Sequence, residues 1–132
     1  MKYLIDTDIL IEFLNGNPQI VSRVEPLTSD GLAISVISYL EALQGMLRLD
    51  DIEGSISDFS RAVGYIAFIE VTVPVARACA KIRYDLARAK RRFRNRSLDL
   101  IIAATAIEYN LTLVTRNRDD YHDIPGLVMV NI

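Results

Sequence analysis

Asp6 closes the apolar run Lys2-Tyr3-Leu4-Ile5, and Glu41 lies just beyond a second run, Leu32-Ala33-Ile34-Ser35. Asp99 falls two residues after Ser97, at the opening of the apolar segment Leu100-Ile101-Ile102-Ala103-Ala104. Asn117-Arg118-Asp119-Asp120 follows a third run, Leu111 to Thr115. Strand ends and the first turns of helices share one edge of a parallel sheet, which would bring these acids together. Crowded carboxylates raise one another's pKa unless a cation sits among them. Oxygen donors without His or Cys suit Mg²⁺ or Mn²⁺, and Mg²⁺ keeps waters and completes its shell with substrate phosphate. Such a metal orients and deprotonates water for attack on a phosphodiester. Thr7 and Thr115 could then bond the phosphate or a metal-bound water, and Arg116 could contact phosphate. Taken singly, each acid also reads as a helix cap, a solvent-facing charge or a solvated turn.

The elements that must position these acids follow from periodicity and breakers. Lys2 to Ile5 reads as a strand, and Thr7-Asp8 as the cap of a helix over Ile9 to Leu14. Asn17 and Pro18 open a second helix to about Val24, and Leu32 to Ser35 is a second strand. Val36, Leu40, Leu43 and Leu47 recur at helical spacing and predict the inner stripe of the next helix. Asp50-Asp51 open a helix to about Phe68, and Ile69 to Val73 predict a third strand. Pro74 begins a long basic helix with Val75, Ala78, Cys79, Ile82, Leu86 and Ala89 inside. Ser97 predicts the N-cap of the helix bearing Asp99, Asn110 its stop, Leu111 to Thr115 the next strand, and Leu127 to Val130 the last. Strands separated by helices predict a three-layer α/β/α fold around a mainly parallel sheet of about five strands.

Composition narrows the class. At 132 residues with no linker or repeat, residues 1–132 read as one domain. Hydrophobic residues make up 51 %, with mean hydropathy +0.22, which predicts a substantial core and a sticky face. No apolar run reaches the ~18 residues of a membrane span, and nothing resembles a signal peptide, so a cytoplasmic protein is expected. Cys79 is the single cysteine and His122 the single histidine, which excludes an internal disulfide and a cysteine-rich zinc site.

The net charge of −2 conceals an asymmetry. Between Arg77 and Arg96, nine of the 15 lysines and arginines stand beside one acid, Asp85, while the remainder carries 16 acids and 6 bases. Arg91, Arg92, Arg94 and Arg96 crowd into six residues and read as a mobile cationic connector facing a polyanion.

The segments YLIDTDILIEFL, AISVISYLEALQGM, SLDLIIAATAIEYNLTLVTRNRDDY and IPGLVMVNI occur in an order and at a chain length that resemble PIN-domain ribonucleases. The closer resemblance is to VapC-type toxins of toxin–antitoxin pairs. It implies a PIN-like fold and Asp6, Glu41 and Asp99 as acidic metal-site residues, Glu41 directly or through a water. It also implies a fourth acid, either two residues after Thr115, where this chain has Asn117, or in the acid–aromatic pair Asp120-Tyr121. Asp120 is the favoured catalytic position, with Asn117 a neutral ligand or water-holder. The resemblance further implies Mg²⁺ or Mn²⁺, endonucleolytic cleavage of RNA, inhibition by a small cognate antitoxin, and a homodimer that can assemble further with that antitoxin. Arg91, Arg92 and Arg94 suit RNA binding beside the acids.

Two alternatives stay open on sequence alone. One is a PIN-like scaffold, weak in catalysis, that binds RNA or antitoxin. The other is a phosphatase of the haloacid-dehalogenase type, suggested by Asp6-Thr7-Asp8 and Asp119-Asp120. Leu10 in its motif and the lack of any lysine after Lys90 speak against it.

Overall fold

A computed structural model of the chain describes all residues, 1–132. Its five strands are β1 (Tyr3–Ile5), β2 (Leu32–Ser35), β3 (Ala67–Ile69), β4 (Thr112–Thr115) and β5 (Met129–Asn131). Six helices connect them: α1 (Thr7–Leu14), α2 (Pro18–Val24), α3 (Val36–Met46), α4 (Ile52–Ala62), α5 (Val73–Arg88) and α6 (Ser97–Glu108). The sheet order is β3-β2-β1-β4-β5, and every pairing is parallel.

Alternation along the strands builds one core on each face. Leu4, Ala33 and Leu113 point to the face covered by α5 and α6, among Val75, Cys79, Ile82, Leu86, Leu100 and Ala103. Ile5, Ile34 and Val114 point to the other face, among Ile9, Leu10, Val24 and Phe59 of α1, α2 and α4. The three-layer expectation holds, with a sheet wholly rather than mainly parallel. No helix is long and apolar enough to cross a membrane.

The strand order reverses beside β1, because the chain runs outward through β2 and β3 and then returns to β4 on the opposite side. In open parallel sheets such a reversal leaves a crevice outside the carboxyl ends of the two strands. Here those strands are β1 and β4. Ile5 is in register with Val114, and the Asp6 N–H donates to the Val114 carbonyl at 3.0 Å, so Asp6 and Thr115 emerge side by side.

Several elements differ from their predicted form. α1 begins at Thr7 and is capped by Asp6, whose side chain accepts from the Thr7 N–H, rather than by Thr7-Asp8. Ser97 is the first residue of α6, with its hydroxyl donating to the Arg94 carbonyl, and is not a cap. α4 stops at Ala62, and β3 occupies Ala67–Ile69 instead of Ile69 to Val73. β5 begins at Met129, two residues later than predicted. Of the predicted inner stripe, Leu40 faces outward and Leu47 lies just past the end of α3, also exposed, while the small residues Ser38 and Ala42 are buried. Small side chains allow α3 to approach α1 closely, and that contact decides which face turns inward. Ala89 is exposed rather than inside.

Asn110 does end α6. It adopts φ 54°, and the N–H of Leu111 reaches back to the Ala106 carbonyl at 2.8 Å. This is the left-handed closure that Asn tolerates better than most residues. α5 closes the same way at Lys90, with φ 57° and Arg91 N–H bonded to the Leu86 carbonyl at 2.8 Å. The chain therefore turns sharply at Lys90 into residues 91–96, which lead directly to α6.

Candidate active site

Asp6 is the centre of a buried hydrogen-bond network. Its Oδ1 accepts from the Thr7 N–H at 2.8 Å and from the Tyr121 hydroxyl at 3.0 Å, and its Oδ2 accepts from the Thr115 hydroxyl at 2.8 Å. Asp6 as a whole is only 4 % exposed. Burial pushes its pKa upward, against the opposing effect of the Thr115, Tyr121 and Thr7 donors.

Asp99 approaches from α6, where it is the third helical residue. Its Oδ1 lies 3.3 Å from the Tyr121 hydroxyl. An acid in a first helical turn is favoured by the helix dipole. Burial, and then the charges of Asp6, Asp120 and Glu41, outweigh that effect and push the Asp99 carboxyl up to about 6. Burial and the two flanking acids also push the Tyr121 phenol far above its usual range, so it remains protonated.

Glu41 is placed from α3. The Thr7 hydroxyl lies 2.8 Å from Glu41 Oε1 and 2.9 Å from Ser38 Oγ. A carboxylate only accepts, so Thr7 gives its proton to Glu41 and Ser38 donates to Thr7. Thr7 and Thr115 were expected to meet substrate or a metal-bound water. Both are buried, with their hydroxyls already engaged by Glu41 and Asp6, so they orient acids instead.

The turn after β4 divides the remaining candidates. Asn117 does not face the acids: its side-chain amide donates to Asp8, while its N–H donates to the Thr115 hydroxyl at 3.0 Å. Asp119 and Asp120 lie in a short 3-10 turn, Arg118–Asp120, and both line a cleft with Asp99. Arg116 is exposed and stands 3.8 Å from Glu12 on α1.

Two clefts flank Asp99. The larger, about 450 Å³, has Arg91, Arg92 and Arg96 facing Asp99, Asp119 and Asp120. The second, about 310 Å³, includes Glu41, Arg94 and Asp99. Arg96 departs from the expected polyanion-facing role. Its guanidinium pairs with both carboxylate oxygens of Asp123, at 2.8 and 3.2 Å, and donates to the Asp120 carbonyl at 3.1 Å. Burial alone would raise Asp123, but the Arg96 hydrogen bonds and charge prevail and hold its pKa below the usual range. The connector is thus clamped to the turn carrying Asp120 and Tyr121.

Sequence reasoning missed the Arg96–Asp123 clamp, the Ser38–Thr7–Glu41 chain and the Tyr121 hydroxyl. Only Tyr121 carried a signal, as an aromatic residue adjoining an acid.

Asp6, Glu41, Asp99 and Asp120 form no ion pair with any lysine or arginine. No group of three or more aspartate, glutamate, histidine or cysteine side chains stands close enough together to hold a metal ion between them. An ion that retains its waters needs only one or two carboxylates, so this all-oxygen, unneutralised set fits a hard divalent cation.

A wholly parallel sheet with carboxylates gathered at its switch point defines an α/β protein with an acidic, cation-compatible centre. The PIN domain model matches residues 3–127. The chain is 31 % identical over 133 aligned residues to Ribonuclease VapC1 of Haemophilus influenzae (strain R2866), covering 96 % of this chain and 95 % of that protein. It is 25 % identical to the tRNA(fMet)-specific endonuclease VapC of Shigella flexneri, covering 96 % and 95 %. Its fold matches a chain in the crystal structure of VapBC2 from Rickettsia felis bound to a promoter DNA fragment, with TM-score 0.85, 27 % identity and coverage of 100 % and 99 %. The chain belongs to the PIN-domain family and, within it, to the VapC ribonucleases, metal-dependent endoribonucleases that act as toxins of toxin–antitoxin pairs. That membership replaces the phosphatase alternative. Asp8, the second acid of its motif, is exposed and bonded to Asn117.

Proposed function

We propose that this chain cleaves RNA at the β1–β4 crevice, with Asp6 and Asp99 holding a Mg²⁺ or Mn²⁺ ion. The observation carrying this reading is the convergence of two buried or half-buried carboxylates on one phenol hydroxyl, without a neutralising base. A bound divalent ion supplies an activated water and neutralises charge developing on the phosphoryl oxygens. Glu41, held by Thr7, would help to hold that ion, directly or through a water. Asp120 completes the acidic side, with its backbone fixed by Arg96. Asn117 serves by ordering Asp8 and the Thr115 hydroxyl rather than as a ligand.

Arg91 and Arg92 on one side of Asp99, and Arg94 on the other, provide cationic contacts for phosphates flanking the scissile one. Exposed Arg116 is a further phosphate contact at the end of β4. The substrate is RNA, with structured RNA the class to test first because the Shigella flexneri relative is named for a tRNA.

The proposed protein partner is a small cognate antitoxin, supported by the VapBC assembly of the Rickettsia felis neighbour. Exposed Leu40, Leu47, Leu49 and Ile52 around α3 and α4, and Tyr65, Phe68 and Val73 beside β3, offer apolar area for an antitoxin and for a homodimer or larger assembly. Residues 1–132 act as one domain in the cytoplasm.

The test is cleavage of a labelled panel of structured RNAs by antitoxin-free protein in Mg²⁺, Mn²⁺ or EDTA. Cutting that requires metal supports the reading. Metal binding without cutting of any panel member, or of total cellular RNA, favours the scaffold alternative.

A further inference from the structure

We propose that the Tyr121 hydroxyl is the positioning group of the acidic centre, fixing the orientation of Asp99 relative to Asp6 so that one cation meets both. The inference rests on the assignment of those two acids as the metal-holding pair. Three observations carry it. The hydroxyl lies 3.0 Å from Asp6 Oδ1 and 3.3 Å from Asp99 Oδ1, so its single proton is shared between the two carboxylates and ties one to the other. Asp6 has two other donors, Thr7 N–H and Thr115 Oγ1, whereas Tyr121 is the sole hydrogen-bond partner of Asp99. The tyrosine itself cannot drift. The residue is 1 % exposed, its N–H donates to the Arg118 carbonyl and its carbonyl accepts from the Ile124 N–H, each at 3.1 Å.

Core packing alone would require only the ring. A phenylalanine would fill the same space and leave Asp99 without a hydrogen bond. The terminal torsion of aspartate is broad, so a carboxylate without its donor swings among many orientations. Groups that orient metal ligands typically cost roughly 10–100-fold in metal affinity or activity when removed. Tyr121 therefore acts through Asp6 and Asp99 and not on the RNA.

The experiment is calorimetric titration of Mn²⁺ into full-length wild-type protein, Tyr121→Phe and Asp99→Asn, each checked for fold by circular dichroism. The expected result is a Kd for Mn²⁺ at least about 10-fold weaker in Tyr121→Phe. Wild-type affinity in that variant overturns the proposal. Wild-type affinity in Asp99→Asn overturns the metal-site assignment itself, which separates the two failures. A second measurement needs no variant. With all 6 tyrosines labelled by ¹³C at Cζ, Mg²⁺ should shift the one resonance shielded from a soluble paramagnetic agent, since Tyr121 alone is fully buried. An unmoved shielded resonance at saturating Mg²⁺ overturns the proposal as well.

Discussion

Replacing Asp99 with asparagine should make the metal-free protein more stable at neutral pH. The half-buried carboxyl is pushed from an ordinary 3.8 up to about 6, first by burial and then by Asp6, Asp120 and Glu41. At ~1.4 kcal/mol per tenfold change in proton affinity, ionising it in the folded protein costs about 3 kcal/mol before screening. Solvent reaches this group, and screening reduces the effect to about 1 kcal/mol. For a domain of this size that is about 4 °C in Tm. The direction with pH follows from the raised folded value. The protonated carboxyl's contribution is fully present below pH ~4 and is lost as pH rises through about 6. Asparagine avoids that loss, and its Oδ1 still accepts the Tyr121 hydroxyl. The assay is thermal unfolding of both proteins in EDTA at pH 4.5 and pH 8, repeated at pH 8 with Mg²⁺. The variant should melt higher in EDTA at pH 8, the difference should shrink at pH 4.5, and Mg²⁺ should raise only the wild type. A variant that melts lower in EDTA at pH 8, or a difference independent of pH, would refute the electrostatic reasoning.

Thr115→Val preserves shape but removes the donor to Asp6 Oδ2; it should cost on the order of 2 kcal/mol and lower cleavage, measured by denaturant unfolding and a rate assay. Arg96→Met strands Asp123 in a pocket where both side chains are nearly buried, so unfolding should show a loss of roughly 3–5 kcal/mol. Asp123 is held below its usual pKa, so its stabilisation is present above pH ~4 and disappears as pH falls through the folded value; acid titration should weaken wild type more than Arg96→Met. Arg91→Ala with Arg92→Ala should reduce the slope of log binding constant against log salt by about 1.4 for single-stranded RNA, read by fluorescence anisotropy in Ca²⁺; an unchanged slope would place both side chains away from phosphate.

The centre was legible where local pattern and sheet topology agree. Asp6 closes a three-residue strand and Asp99 opens a helix, and both positions can be read within a few residues of chain. Their convergence follows from parallel pairing, a general property of strands joined through helices. Glu41 was legible as a position, but its helix was turned the wrong way. Hydrophobic spacing pointed to Leu40 and Leu47, whereas close packing on α1 selected Ser38 and Ala42. Arg96 shows a different limit. In the sequence it is one of four arginines in six residues, while its partner Asp123 lies 27 residues onward. No local charge count distinguishes a clamped guanidinium from a substrate-facing one. Tyr121 was marked by the adjoining Asp120, but the reach of its hydroxyl to Asp6, 115 residues away, was hidden for the same reason.

The most direct measurement of the central claim is anomalous scattering from crystals of the antitoxin-free protein soaked in Mn²⁺. The predicted result is a peak about 2.1 Å from carboxylate oxygens of both Asp6 and Asp99, absent in Asp99→Asn crystals treated identically. A Mn²⁺ peak elsewhere in protein that still cuts RNA, with none at these two acids, would contradict it.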